Sequence, residues 1–245
     1  MIKYSLVIPF FNEEKNIHSV INELKKVSKK NKSIEFILVN NGSTDNSKIE
    51  FKKSLHNLNK KIYKLIVIKK NIGYGYGIKY GLTKAKGYYV AWTHSDLQTD
   101  PKDIIKSIKI IENLSKKQNL FIKGLRRKIN SKENFQTKAM EVISSYILGI
   151  KIKDINAQPK LMTNNFFKRY IKKYAPNDLS FDLYCYSLAI FKKIKLYEID
   201  VLFKKRKHGA VKGGGEGGSF FSKFKVIIVT IKCLIYLRLN KFSQD

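Results

Sequence analysis

Three short polar clusters hold residue types suited to binding a phosphate ester. They are Pro9-Phe10-Phe11-Asn12-Glu13-Glu14, Asn40-Asn41-Gly42-Ser43-Thr44-Asp45 and His94-Ser95-Asp96-Leu97-Gln98. Together they supply backbone amides, carboxamides and carboxylates. Mg2+ and Mn2+ prefer oxygen ligands and normally share them with phosphate, so the set suits a nucleotide plus a metal-held diphosphate. Each cluster alone reads equally well as a polar turn. Asp96 is the natural centre of the third. His94 can reach Mn2+ through a ring nitrogen but is a poorer Mg2+ ligand. It can instead orient Asp96 or a metal-bound water, or pack at a sheet edge.

Three further groups could act on a second substrate or on the leaving group. Lys123-Gly124-Leu125-Arg126-Arg127 concentrates two of the five arginines. Guanidinium forks match phosphate oxygens, so Lys123, Arg126 and Arg127 form a candidate acceptor-phosphate clamp; a solvated basic loop is the alternative. Asp182 opens a predicted helix. It is a candidate general base if the acceptor is a hydroxyl, an orienting or cation-pairing group if the acceptor is a phosphate, or simply a cap. Arg206, just before His208-Gly209-Ala210-Val211-Lys212, is another of the arginines that a general lysine excess does not explain. The glycines at 73, 75, 77 and 81 lack the spacing of a dinucleotide fingerprint and suit close helix-to-sheet packing better.

These groups need a scaffold, and the hydropathy pattern supplies one. Strands are expected at Tyr4–Pro9, Ile34–Val39, Tyr63–Ile68, Tyr88–Trp92 and Leu120–Lys123, and helices at Lys15–Val27, Asn71–Ala85 and Asp103–Leu114. Ser43 or Thr44 can cap a helix after the second cluster. Alternating strands and helices predict an α/β fold with a mostly parallel central sheet flanked by helices, which brings the three clusters to one sheet edge. Later elements are a helix over Gln136–Leu148, an extended stretch Asp154–Met162, a helix near Ser180–Lys192 and a strand near Leu196–Phe203. Residues 1–212 form one expected domain, 213–219 a Gly-rich connector and 220–245 a C-terminal amphipathic helix. Lys223, Lys225 and Lys232 interrupt that apolar helix, so it fits a membrane span poorly. It fits a helix lying on a membrane surface, or one packed on the body or in an oligomer contact.

The chain has 245 residues and a formal net charge of +30, from 44 lysines and five arginines against 19 acids. A charge spread so evenly over lysines reads as a general surface bias with attraction to anionic membrane, rather than a nucleic-acid site. Cys185 and Cys233 share no metal spacing and fit a reducing cytoplasm. The N-terminus does not resemble a secretion signal.

Taken in order, VIPFFNEE, VNNGSTDNS, NIGYGYGIKYGLTKAKG and SDLQTDP resemble the family 2 inverting glycosyltransferases of the GT-A fold. Within them, residues 1 to 212 look closest to the dolichol- and polyprenyl-phosphate sugar synthases. The resemblance implies transfer of a sugar from a nucleotide-diphosphate donor, with a divalent metal, to a polyprenyl phosphate or other cell-envelope acceptor at the cytoplasmic membrane face. It implies that Pro9, Phe11 and Glu13 line the nucleotide pocket and that Val39 and Asn41 face base and ribose. Asp96 and Gln98 would hold metal and diphosphate, and Arg206 and Lys212 would close over the donor and stabilise the departing diphosphate. Residues 154–160 resemble the acceptor-loop region. The chain departs from the family where Asn40-Asn41 replaces paired aspartates and His94-Ser95-Asp96 replaces Asp-x-Asp. A non-catalytic nucleotide-sugar or membrane-binding protein on the same scaffold is the competing expectation.

Overall fold

The computed structural model describes residues 1–116, 118–127, 131–206, 208 and 220–240, with backbone alone for 131–136, 220, 222 and 223. Strands β1 (Tyr4–Phe10), β2 (Ile34–Asn41) and β4 (Tyr89–Trp92) are buried along their whole length, as apolar runs covered on both faces must be. With β3 (Tyr63–Ile68), β5 (Leu120–Arg127), β6 (Lys160–Thr163) and β7 (Lys195–Leu202) they form one seven-stranded sheet of order β3-β2-β1-β4-β6-β5-β7. The β1–β2, β1–β4, β2–β3 and β5–β7 pairs are parallel, while β6 runs antiparallel to both its neighbours.

Helices cover both faces. On one, α1 (Glu14–Lys30) buries Ile17, Val20, Ile21, Leu24 and Val27, the i, i+3, i+4 stripe expected for it. With α4 (Ile104–Glu112) it closes a core around Leu6, Ile8, Phe36 and Leu38. Between them in sequence, α2 spans Ser47–Leu55. On the other face, α3 (Tyr74–Thr83) lies unusually close to the sheet. A methyl group added at Gly81 would stand 2.5 Å from Val7 Cγ1 and 2.9 Å from Val39 Cγ2, and one at Gly77 would stand 2.8 Å from the Asn41 amide. Close packing is therefore what these glycines serve.

The second half contains α5 (Ser131–Leu148), a short helix α6 (Asn164–Phe166) running into a π-helical turn (Phe167–Ile171), α7 (Phe181–Phe191) and α8 (Phe220–Leu239). The extended stretch expected over 154–162 is mostly turn, and pairs as a strand only from Lys160. The C-terminal helix packs on the body through Thr230, Cys233, Leu234 and Leu237, beside α5 and α7. The connector expected at 213–219 lies outside the described residues.

Candidate active site

The carboxyl ends of β1, β2 and β4 deliver the three polar clusters to one edge of the sheet, and hydrogen bonds sew the first two together. Asn12, with φ +50°, donates its backbone N–H to Ser43 Oγ at 3.0 Å, and its Oδ1 accepts from Thr44 N at 2.8 Å. Glu14 N donates to Asp45 Oδ2 at 3.1 Å. Neither Ser43 nor Thr44 caps α2 as expected: their hydroxyls accept from Asn12, and Asp45 Oδ1 accepts from Ser47 N instead. A capping residue was needed close to Ser47, and Asp45 is nearer.

Arg206 joins the first cluster to the third. Its Nη1 donates to Glu13 Oε1 and its Nη2 to Asp96 Oδ2, each at 2.9 Å. Both carboxylates are buried. A guanidinium between two buried carboxylates neutralises charge that would otherwise be costly to bury. The third cluster turns through Leu97, at φ +58°, while Asp96 Oδ1 accepts from Gln98 N at 3.1 Å. Gln98 also holds the strand leading to Arg206: Lys204 N donates to Gln98 O at 2.8 Å, and Gln98 Nε2 to Lys204 O at 3.3 Å. The cluster expected to hold metal and diphosphate is thus physically linked to the segment expected to close over the donor.

Behind this edge lies a buried network that sequence reading did not reveal. Asp182, 2% exposed, accepts from Trp92 Nε1 at 2.9 Å, Lys160 Nζ at 2.8 Å, Tyr74 Oη at 3.0 Å and Gln158 Nε2 at 3.2 Å. Both of its oxygens are occupied. Tyr74 Oη also lies 2.8 Å from His94 Nε2, and His94 Nδ1 lies 4.0 Å from Asp96 Oδ2. Burial raises the Tyr74 phenol well above its ordinary value, and the neighbouring Asp182 carboxylate adds to the shift. Of these partners, Lys160 left the clearest trace in sequence, a lone cation beside the apolar pair Leu161-Met162.

The other candidates fall as follows. Pro9 and Val39 are buried within β1 and β2, and Val39 packs in the core beneath α3. Asn41 donates Nδ2 to Gly73 O at 3.0 Å, and its buried Oδ1 has no hydrogen-bond partner. Phe11 sits half-buried between β1 and α1. The expected clamp is not three free cations. Lys123 is buried, donating to Gly124 O at 3.0 Å and Glu198 Oε1 at 3.4 Å beneath the Tyr186 ring, and burial lowers its pKa. Arg126 Nε donates to Asp154 Oδ1 at 2.7 Å with the guanidinium over Phe203, and Arg127 pairs with Asp200 on the surface. Lys212 lies outside the described residues.

The donor set fits a divalent ion shared with a ligand. Asp96 and His94, an oxygen and a nitrogen donor 4.0 Å apart at the sheet edge, are the residues that would hold such an ion. Among the described residues no group of three His, Cys, Asp or Glu side chains converges. Diphosphate and water would therefore complete the shell, the usual arrangement for Mg2+ at phosphates.

Comparison with known proteins agrees with this geometry. The dodecaprenyl-phosphate galacturonate synthase of Rhizobium johnstonii is 24% identical over 249 residues, covering 97% of this chain and 68% of that protein. The undecaprenyl-phosphate 4-deoxy-4-formamido-L-arabinose transferase of Proteus mirabilis is 27% identical over 146 residues, covering 59% of this chain; the match spans less than half of that protein, 43%. Among solved structures, glucosyl-3-phosphoglycerate synthase from Mycobacterium tuberculosis with Mn2+ and UDP superposes with a TM-score of 0.70 at 14% identity, over 96% of this chain and 79% of that one. A mannosyltransferase from Pyrobaculum calidifontis with GDP-Man and Mn2+ gives 0.64 at 14% identity, over 84% and 58%. The fold is the GT-A arrangement that the motifs implied. The glycosyl transferase family 2 model matches residues 5–195, a span that holds all three edge clusters and the Asp182 network, and the chain belongs to that family.

Proposed function

We propose that the protein transfers a sugar, with inversion, from a nucleoside diphosphate donor to a polyprenyl phosphate at a membrane surface. The observation that carries the acceptor class is the occupancy of Asp182. A hydroxyl acceptor needs a base within hydrogen-bond reach of its proton. Asp182 offers none, since both oxygens are taken by Trp92, Lys160, Tyr74 and Gln158. A phosphate acceptor is already anionic and attacks without deprotonation. The names of the Rhizobium and Proteus relatives, both polyprenyl-phosphate enzymes, support the same reading.

In this reading Glu13 and Asn41 contribute to the nucleotide pocket, with the unpartnered Asn41 Oδ1 free to accept from a base or ribose. Asp96 and His94 hold the divalent ion, with Gln98 beside them. When bound there, such an ion would supply charge neutralisation to the diphosphate and make its oxygen a better leaving group. Arg206 exchanges its carboxylate partners for the leaving diphosphate, whose charge grows as the glycosidic bond breaks. Arg126 and Arg127 at the end of β5 attract the acceptor phosphate, with Arg126 held in place by Asp154.

The exposed face of α8 supports a membrane surface. Opposite its packed side, Phe224, Ile228, Ile231 and Ile235 are exposed at helical spacing, with exposed Lys225 and Lys232 alongside. No helix among the described residues is long and apolar enough to cross a membrane. The face suits a helix lying in an anionic interface, on the side where nucleotide sugars are supplied. The test is to incubate the protein with Mn2+, labelled UDP- and GDP-sugars and undecaprenyl phosphate. Label passing into the lipid phase as an anomerically inverted phosphodiester supports the proposal; label passing only to water or to hydroxyl acceptors overturns it.

A further inference from the structure

The His94–Tyr74–Asp182 chain has a direction, and it points away from the edge. Tyr74 has one hydroxyl hydrogen. Asp182 pairs with buried Lys160 and has no proton to give, so the 3.0 Å contact between Tyr74 Oη and Asp182 Oδ2 requires Tyr74 to donate. Tyr74 Oη must then accept at its 2.8 Å contact with His94, so His94 Nε2 carries the hydrogen. In a neutral imidazole the lone pair is left on Nδ1, the nitrogen facing Asp96. A T-shaped contact of the two rings, centroids 5.5 Å apart, holds the same orientation.

We propose that Tyr74 and Asp182 act as positioning residues that lock His94 in its Nε2-protonated form, so that it binds the divalent ion through Nδ1 and biases the site toward Mn2+ over Mg2+. This deepens the metal role assigned above and rests on it. Nitrogen ligands favour later first-row ions, whereas an all-oxygen pair suits Mg2+. A hydrogen-bonded carboxylate or phenol behind a ligating histidine fixes ring and tautomer and strengthens the ligand.

Two measurements on the full chain test it. In the metal-free protein, long-range 15N–1H correlation spectra should show His94 protonated on Nε2, and Tyr74→Phe should abolish that preference. With Mn2+ plus UDP or GDP, electron spin-echo spectra should show 14N modulation from one imidazole, lost in His94→Gln. Tyr74→Phe should weaken Mn2+ binding in the ternary mixture by about tenfold. His94→Asp should raise the affinity for Mg2+ relative to Mn2+ by at least that factor. Nδ1-protonated His94 in the free protein, or bound Mn2+ without 14N modulation, overturns the inference while leaving a metal-dependent enzyme intact. Absence of any bound Mn2+ with either nucleotide overturns the metal reading itself.

Discussion

Single residues divide here into those that face a substrate and those that hold the first kind still. Lys160 and Lys123 both belong to the second kind, buried register partners on β6 and β5, but their charges do different work. Lys160 neutralises a carboxylate that is itself 2% exposed. Lys160→Met strands that charge and should destabilise the protein by about 3–5 kcal/mol in urea titrations. The partner of Lys123, Glu198, keeps 40% of its side chain in water. Lys123→Met should therefore shift stability by no more than about 1 kcal/mol near neutral pH. The pH profile adds a signature. Burial lowers the folded-state pKa of Lys123, so between that value and the ordinary 10.5 the unfolded chain binds the extra proton and stability rises with pH. Lys123→Met should flatten that rise. At the edge, Arg206→Ala should lower kcat by about 10²–10³, since it removes a cation aimed at developing charge. The edge residues were legible in sequence because polar clusters after apolar runs stand out. Tyr74 and Lys160 were not, because their meaning lies in contacts with Asp182 across more than twenty positions of chain.

Elements were legible wherever periodicity was strong. The buried runs of β1, β2 and β4 and the amphipathic stripe of α1 appear within two or three residues of their expected bounds. Within the extended stretch expected over 154–162, neither the start of the four-residue β6 nor its direction declared itself, because it begins at a lysine and its antiparallel direction depends on neighbours β4 and β5. The seat of α3 was partly legible: glycines at 75, 77 and 81 announce close packing, though not against which side chains. Gly81 meets Val7 and Val39, the second of which lies two residues before Asn41 on β2. Gly81→Ala forces a carbon to within 2.5 Å of Val7 Cγ1. It should cost about 1–3 kcal/mol through overpacking. Because α3 begins at Tyr74, the same displacement should loosen His94 and raise the donor KM, whereas Ala at the exposed Thr83, the last residue of α3, should do neither.

Over the whole molecule, the βα alternation and the order of the three clusters made the fold class readable, while the two-sided nature of α8 was not. One hydropathy pattern serves both a packed face and an exposed one, and only tertiary contact tells which residues lie on each. This distinction selects the proper membrane test. Deleting residues 220–245 would uncover Tyr184 and the start of α7, which meet Tyr236 and Cys233, while removing the outward face, confusing unfolding with lost binding. Substituting Phe224, Ile231 and Ile235 by Ser leaves Cys233, Leu234 and Leu237 packed. Each apolar side chain fully buried in lipid contributes about 1.5–3 kcal/mol. Even partial insertion of three therefore predicts a loss of more than tenfold in partitioning onto phosphatidylglycerol vesicles, at unchanged melting temperature. Lys225→Glu with Lys232→Glu should weaken binding further at low salt, by about 1 kcal/mol for each cation removed, and the effect should shrink as salt is raised. If the Ser variant still sediments with vesicles as wild type does, the apolar face of α8 is not what meets the membrane, and the general lysine charge alone would have to account for the attraction.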